Sequence, residues 1–331
     1  MLLTSTVVPP RLPGLAVGPR WFWERFPQAI RFTPDAVRFD LLPEALDPGD
    51  LPTRWLDRMR EVTDRYAVGG VGYPQSPGKM GLFRLAQGEA LSQEFGISAD
   101  GAAADVPPAG RERLAAPLRP VADPAHTAST GAFGPLVPKD PQRLARYEQL
   151  VERCYVGYLA QRQKRREYGF ENFGDSTFEW GYGPSYTYWS NSEYDHHHGF
   201  ALEYLRSADP RWWELCETTA RHYRDVVVVH HASAESGMRG GPHHHNATSL
   251  WMPQHEDQFW IADHTVAGCH VGHSWVEGII AYAWLSGDPW AEEVIAEMAD
   301  WYVTMVQRDQ FGAGGQERGP GWALIAISAL A

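Results

Sequence analysis

Apolar and polar positions follow two different rhythms along this chain, and the change falls near Asp140. Before it, short apolar runs alternate with Pro- and Gly-rich turns, a pattern that predicts β structure. Arg31–Leu42 and Met80–Ile97 are the strongest strand candidates, and the small residues and prolines of 99–124 predict a long loop or linker. Beyond it, long helical patterns follow Asp140–Pro141, Asp209–Pro210 and Asp288–Pro289. Asp accepts a free backbone N–H at a helix start, and Pro at the next position gives up an N–H that had no partner there. The same dipeptide at 47–48 and 123–124 precedes no helical pattern, so context carries the inference.

The last two of these helix starts belong to copies of one unit. At an offset of 79 residues Gly199 matches Gly278, Ser207 matches Ser286, and Asp209–Pro210 matches Asp288–Pro289. Further on, Glu214, Ala220, Tyr223 and Val227 match Glu293, Ala299, Tyr302 and Val306. Each copy reads as helix, tight turn, helix, and repeated helical hairpins predict a solenoid or a closed α/α toroid. The fold class expected is therefore multidomain α and β: a β-sandwich-like region over 1–135, then an incomplete α/α toroid over 136–331. The last residues, GWALIAISALA, are an apolar helical pattern without a polar cap, so a fragment of a longer protein is expected. Turns at 207–209 and 286–288 are minimal, whereas the connections near 166–191, 231–271 and 309–319 are long. All long loops then fall on one rim, where loops of this length are usually functional. Helices starting near Glu193 and His273 would direct their positive ends there, which favours an anionic ligand.

Composition narrows the class. A net charge of −12 excludes a typical nucleic-acid binder, which needs cations to replace phosphate counterions. Cys154, Cys216 and Cys269 are widely spaced and form no disulfide framework; Cys154 and Cys216 fall at apolar helical positions expected to be buried. Neither a secretory leader nor an apolar run of membrane-spanning length is visible. The chain reads as soluble, cytoplasmic as written and secreted if its amino terminus is incomplete.

Thirteen of the 14 histidines lie between His196 and His273. The stretch from Tyr168 to His198 mixes aromatic rings with Asn172, Asp175, Asn191, Glu193 and Asp195, a combination suited to sugars: rings cover C–H faces while amides and carboxylates take hydroxyls. Ser190-x-x-Glu193 also reads as a capping box opening a helix. His243, His244 and His245 read as a solvated loop, and His245, His255 and Asp257 match no established metal spacing. His222 and Tyr223 fall inside a helix away from the loop rim and read as structural.

The segments ENFGD (171–175), WSNSEYDHHHGFALEYLRSADPRWWELCETTARHYRDVVVVHH (189–231) and GHSWVEGIIAYAWLSGD (272–288) resemble the rhamnogalacturonan exolyase family, many of them bacterial proteins. The resemblance is closest over about 126–308. It implies β-rich N-terminal domains, an α/α toroid and β-elimination on a galacturonate-containing pectin backbone. Elimination needs a base for the C5 proton, an acid for the departing O4 and a positive group on the uronate. By chemistry and placement, His264, His273 and His230 are the base candidates and Tyr194 the proton donor. Arg239 is the expected carboxylate clamp, and Asn191, Glu193, Asp195, Trp275 and Glu277, with Asn172 and Asp175, are expected to bind the sugar. The expected partner is an acidic oligosaccharide or polysaccharide, with no nucleic acid and no membrane; oligomeric state stays open. No metal site or cofactor is expected, Ca²⁺ being left open as an aid to carboxylate neutralisation. Two alternatives stand beside the lyase: a toroid hydrolase using paired carboxylates such as Asp195 and Glu277, and a non-catalytic carbohydrate-binding protein.

Overall fold

The structure, a computed structural model, describes residues 16–26, 28–33, 36–41, 88–98, 119, 121–165, 167–179, 187–234, 236–243, 250–251, 260–261, 269, 271–308 and 317–331. Elements are numbered in chain order among these. The chain divides into two compact units: Met1–Arg84, Leu91–Pro120 and Tyr168–Phe170 form one, and Leu85–Ala90, Val121–Glu167 and Glu171–Ala331 the other.

The first unit holds four short strands in two antiparallel pairs. β1 (Ala16–Pro19) pairs with β4 (Phe95–Ser98), and β2 (Ala29–Phe32) with β3 (Val37–Asp40). The single strand expected over Arg31–Leu42 is a hairpin instead. Thr33 N–H donates to the Ala36 carbonyl (2.9 Å) between the two strands, and the sequence between them holds Pro34, which has no N–H for a ladder. Of Met80–Ile97, residues 80–87 lie outside the described residues, and strand begins only at Phe95. Among the described residues the unit therefore shows two small sheets, not the packed sheets of a sandwich.

The second unit is helical. Asp123 accepts from His126 N (2.8 Å) and caps α1 (Pro124–Thr130), so this Asp–Pro does open a helix, contrary to the expectation from sequence. Helix here thus begins before residue 136. Asp140 accepts from Gln142 N and Arg143 N in the turn that leads into α2 (Ala145–Arg165). The repeated hairpins are α3 (His196–Ser207) with α4 (Pro210–His222), and α5 (Glu277–Ser286) with α6 (Pro289–Gln307). Their turns are built alike. Ser207 and Ser286 donate back to the carbonyls of Glu203 and Tyr282, and each hydroxyl accepts from the next Asp N–H, at 3.2 and 3.1 Å. Asp209 and Asp288 then cap Arg211 N and Trp290 N, both at 3.0 Å. The left-handed residue of the turn is Ala208 (φ 57°) in one copy and Gly287 (φ 65°) in the other.

The two hairpins share one core. Ala201, Cys216, Ile279, Val294 and Met298 are fully buried, and Trp213 stacks on Tyr282 with ring centres 5.9 Å apart. α5 packs against α3 and α4, and α7 (Arg318–Leu330) against α6 and the 3-10 turn Val271–His273. α4 does not end cleanly: Tyr223–Val227 continue it as a π-helical turn, an insertion that alters which face its residues present. All three thiols are free. Cys216 is buried as expected, but Cys154 is exposed on α2, whose Leu150 and Val156 are exposed as well. No helix among the described residues is long and apolar enough to cross a membrane.

Candidate functional site

The site is organised by a carboxylate that the solvent does not reach. Asp175 is 1% exposed and accepts three hydrogen bonds from the loop ahead of α3: Ser190 Oγ at 2.7 Å, Asn191 N at 2.9 Å and Ser192 N at 3.2 Å. It serves as the loop's anchor and is closed to sugar by its burial, in contrast to the subsite role expected of it. Held this way, Asn191, Ser192, Tyr194 and Asp195 all adopt left-handed backbone, with φ between 49° and 68°. Such conformations are costly for residues with a Cβ and persist where surroundings enforce them, often at functional sites. Ser190 and Glu193 consequently do not form a capping box. The helix starts at His196, the Ser190 hydroxyl goes to Asp175, and the Glu193 carboxylate goes elsewhere.

Two long-range contacts join this loop to the start of the second hairpin. Glu193 Oε1 lies 2.8 Å from His273 Nδ1, an arrangement that orients the ring. The other ring nitrogen, Nε2, lies 3.1 Å from Arg318 Nη1 at the beginning of α7. With Nδ1 donating to Glu193, Nε2 faces the guanidinium as an acceptor. The second contact runs from Gly278 N–H to Asp195 Oδ2 at 2.9 Å. Asp195 stands at the N-cap position of α3, makes no cap bond there, and instead caps α5. The positive end of α5 is thus taken by the protein's own carboxylate. Gly278 is required for this approach, since a Cβ would lie 2.0 Å from Asp195 Oδ1; its repeat partner Gly199 faces open space.

Burial, with Glu277 adding to it, raises the Asp195 carboxyl to about 7 although the Gly278 amide opposes the shift. Burial lowers His196 and His198 and lowers His197 further, so this run of rings is largely uncharged at neutral pH. One oxygen each of Asp195 and Glu277 and one ring nitrogen of His198 lie within 4.8 Å of one another, a trio that could hold a metal ion.

A cavity of about 590 Å³ opens over these groups, its walls including Tyr194, Asp195, His198, Trp275, Glu277 and Trp322. Tyr194 is 64% exposed, its ring 5.4 Å from that of Trp275, which in turn meets Trp322 at 5.2 Å. Beneath them Tyr223 donates its hydroxyl to the Trp275 carbonyl (2.6 Å) and packs its ring against His197 at 5.0 Å. His222 Nε2 lies 3.7 Å from Asp175. His222 and Tyr223, where α4 gives way to the π-helical turn, are therefore buried supports close to the site and not remote from it.

Other expected residues fall elsewhere. His230 spends Nδ1 near Glu297 (3.2 Å) and Nε2 on the Arg224 carbonyl (2.7 Å). Arg239 donates to the same Glu297 at 2.9 Å, and its turn borders a separate cavity of about 370 Å³ with Asp300 and Arg308. Neither lines the cavity that holds Tyr194 and Trp275; both ring nitrogens of His230, one of three base candidates, and the charge of the expected clamp are engaged elsewhere. Asn172 is partly buried and its carbonyl accepts from Asp175 N. His264 lies outside the described residues, as do His244, His245, His255 and Asp257. Reading the sequence missed His198, Gly278, Arg318 and Trp322. The repeat offered a signal for Gly278: neighbouring repeats stack equivalent positions, and the Glu193–His273 and Asp195–Gly278 separations are both close to its 79-residue offset.

Residues 117–249 match the family model described as the PcRGLX-like protein C-terminal alpha/alpha toroid domain, a match to less than half of the chain. No curated protein matches it. The matched region includes the anchor Asp175, the strained loop and the first repeated hairpin, and it relates this part of the chain to a carbohydrate-active family.

Proposed function

We propose that the chain acts as a polysaccharide lyase on a galacturonate-containing backbone of the rhamnogalacturonan type. The observation that carries this reading is an imidazole oriented by a carboxylate, His273 on Glu193 at 2.8 Å, two residues from an aromatic wall of a cavity. In this reading His273 Nε2 takes the C5 proton, the C5–H electrons form the C4=C5 bond, and O4 departs with a proton from the Tyr194 hydroxyl. Glu193 holds the ring and favours the imidazolium that forms, as an orienting carboxylate does in other proton transfers. Trp275 and Tyr194 cover C–H faces of the sugar, and Glu277 completes the subsite; Asn191, expected beside them, is 3% exposed and holds the loop instead. The region matched by the toroid model supports the substrate class, because it is named for an RGLX-like protein.

His264 stays a base candidate, so the variants decide between the two rings. His273→Ala and Glu193→Gln are expected to lower turnover of rhamnogalacturonan oligosaccharides more than 100-fold while circular dichroism is unchanged. His264→Ala and His230→Ala keep most of it. Full activity in His273→Ala with loss in His264→Ala would move the base to residue 264. No cofactor is proposed. A chelator tests that point, since the Asp195, His198 and Glu277 trio is where a divalent ion, Ca²⁺ included, would act.

A second reading, hydrolysis by Asp195 and Glu277, draws on those two paired carboxylates. One oxygen of each lies within 4.8 Å of the other, closer to the spacing of a retaining pair (about 5–5.5 Å) than to that of an inverting one (about 6.5–9.5 Å). The product separates the readings, because a hydrolysis fragment carries one water that an elimination fragment lacks. Saccharide binding without cleavage would make the chain a binding protein.

A further inference from the structure

Arg318 and Trp322 stand one helical turn apart at the start of α7, and residues four apart on a helix share a face. Trp322 lines the 590 Å³ cavity and meets Trp275 edge-on. Arg318 is exposed and reaches His273 Nε2 with Nη1, and no carboxylate among the described residues pairs with it. Other arginines are spent: Arg239 on Glu297, Arg211 on Asp209 and Glu152, Arg206 on Glu148 and Glu203. One guanidinium thus keeps most of its five donors for something else, beside an aromatic wall.

We infer that the Arg318–Trp322 face of α7 is a uronate-recognition element, with Arg318 binding the sugar carboxylate and Trp322 the apolar face of the same or the adjoining ring. A planar guanidinium matches a carboxylate with two parallel hydrogen bonds, and an indole face suits sugar C–H groups. The inference rests on the proposed function for its substrate class and deepens it in one respect. C5 of a uronate is bonded to the carboxylate carbon, so a base for its proton must stand next to whatever holds the carboxylate. Arg318 Nη1 and His273 Nε2 are 3.1 Å apart and meet that condition. A carboxylate arriving at Arg318 draws the guanidinium from the ring and leaves Nε2 free to accept the C5 proton. Arg318 thereby takes over the clamp role expected of Arg239. Both α7 residues lie beyond the segment 117–249 matched by the toroid model.

Binding tests the inference apart from turnover. A galacturonate-terminated rhamnogalacturonan oligosaccharide and its carboxyl-reduced, neutral counterpart are titrated into the full chain by calorimetry, at low and high salt. The wild-type chain is expected to prefer the charged sugar by at least 10-fold. Arg318→Ala brings that preference close to 1, Arg318→Lys restores part of it, and Trp322→Ala weakens both sugars alike and leaves the preference standing. Because Arg318 is exposed, its replacement is checked for fold by circular dichroism, and the lysine variant covers the case in which alanine disturbs α7. Equal binding of the two sugars by the wild-type chain, no binding of either, or an undiminished preference in Arg318→Ala overturns the inference. A charged-sugar preference that depends on Arg318, without any unsaturated product, would defeat the lyase reading and leave this one intact.

Discussion

Replacing Asp175 by Asn tests how the site is held in shape. The carboxylate accepts from Ser190 Oγ, Asn191 N and Ser192 N, and charge-assisted bonds of this kind contribute about 1.5–3 kcal/mol each. Opposing them, the left-handed backbone at Asn191, Ser192, Tyr194 and Asp195 costs about 1 kcal/mol per residue, or roughly 4 kcal/mol. The intact carboxylate offsets that strain with a modest surplus. An amide has one accepting oxygen, and its NH₂ must face at least one of the three donors, so two bonds at most survive and a buried donor loses its partner. Asp175→Asn is expected to destabilise the helical unit by about 3 kcal/mol, which for a unit of this size lowers Tm by roughly 6–12 °C. Turnover is expected to fall more than 100-fold, because Glu193 and Tyr194 ride on the released loop and a shift of about 1 Å suffices for such a loss. Ser190→Ala, which removes one of the three, should cost about 1.5–3 kcal/mol. Thermal unfolding and product assays on the same preparations read both effects. An Asp175→Asn chain within about 0.5 kcal/mol of wild type and fully active would refute the argument that this carboxylate pins the loop.

Two further outcomes follow from the scaffold. Ala208 occupies the left-handed turn position that Gly287 fills in the other repeat, so Ala208→Gly should stabilise by about 0.5–1 kcal/mol. Gly287→Ala, whose added Cβ meets nothing within 4 Å, should destabilise by about 1 kcal/mol through backbone strain alone; calorimetric melting checks both. Glu148 is buried against Arg206 (Oε2 to Nη1, 3.1 Å), and the hydrogen bond from that guanidinium holds its carboxyl below the usual value of 4.5. Its stabilising contribution is therefore complete above that unfolded-state value and is lost as pH falls through the lower folded one. Glu148→Gln should cost about 3 kcal/mol at neutral pH and flatten the acid limb of a denaturation profile; an unchanged acid limb would contradict the sign.

What the sequence discloses and what it withholds divide along the range of the interactions. Asp209–Pro210 and Asp288–Pro289 are read correctly because a cap is a contact within two or three residues, and the serine hydroxyls before them repeat the same short-range chemistry. Asp123–Pro124 has the same cap, yet its helix is only seven residues long and carries no apolar periodicity to announce it. The aromatic and acidic stretch around Glu193 is legible as a site by composition. Its wiring is not, since Asp175 reaches forward 15 to 17 residues and His273 reaches back 80. Ser190 and Glu193 have the spacing of a capping box, but the buried Asp175 competes for the serine hydroxyl and wins it. His230 and Arg239 stand in the right segment and on the wrong carboxylate: Glu297 belongs to α6, and nothing local to residues 230–239 discloses that pairing. The π-helical turn after His222 likewise has no pattern of its own, although Tyr223 and its repeat mate Tyr302 both reach the 274–275 segment, through the Trp275 carbonyl and the Ser274 hydroxyl.

The most direct test of the central proposal is incubation of the chain with rhamnogalacturonan oligosaccharides while ultraviolet absorbance and reducing ends are followed together. β-Elimination creates one C4=C5 double bond, conjugated with the uronate carboxylate, for every chain end released. The absorbance is therefore predicted to rise in step with the reducing ends and to vanish in His273→Ala. Reducing ends that appear without absorbance would contradict the lyase and assign the cavity to a hydrolase.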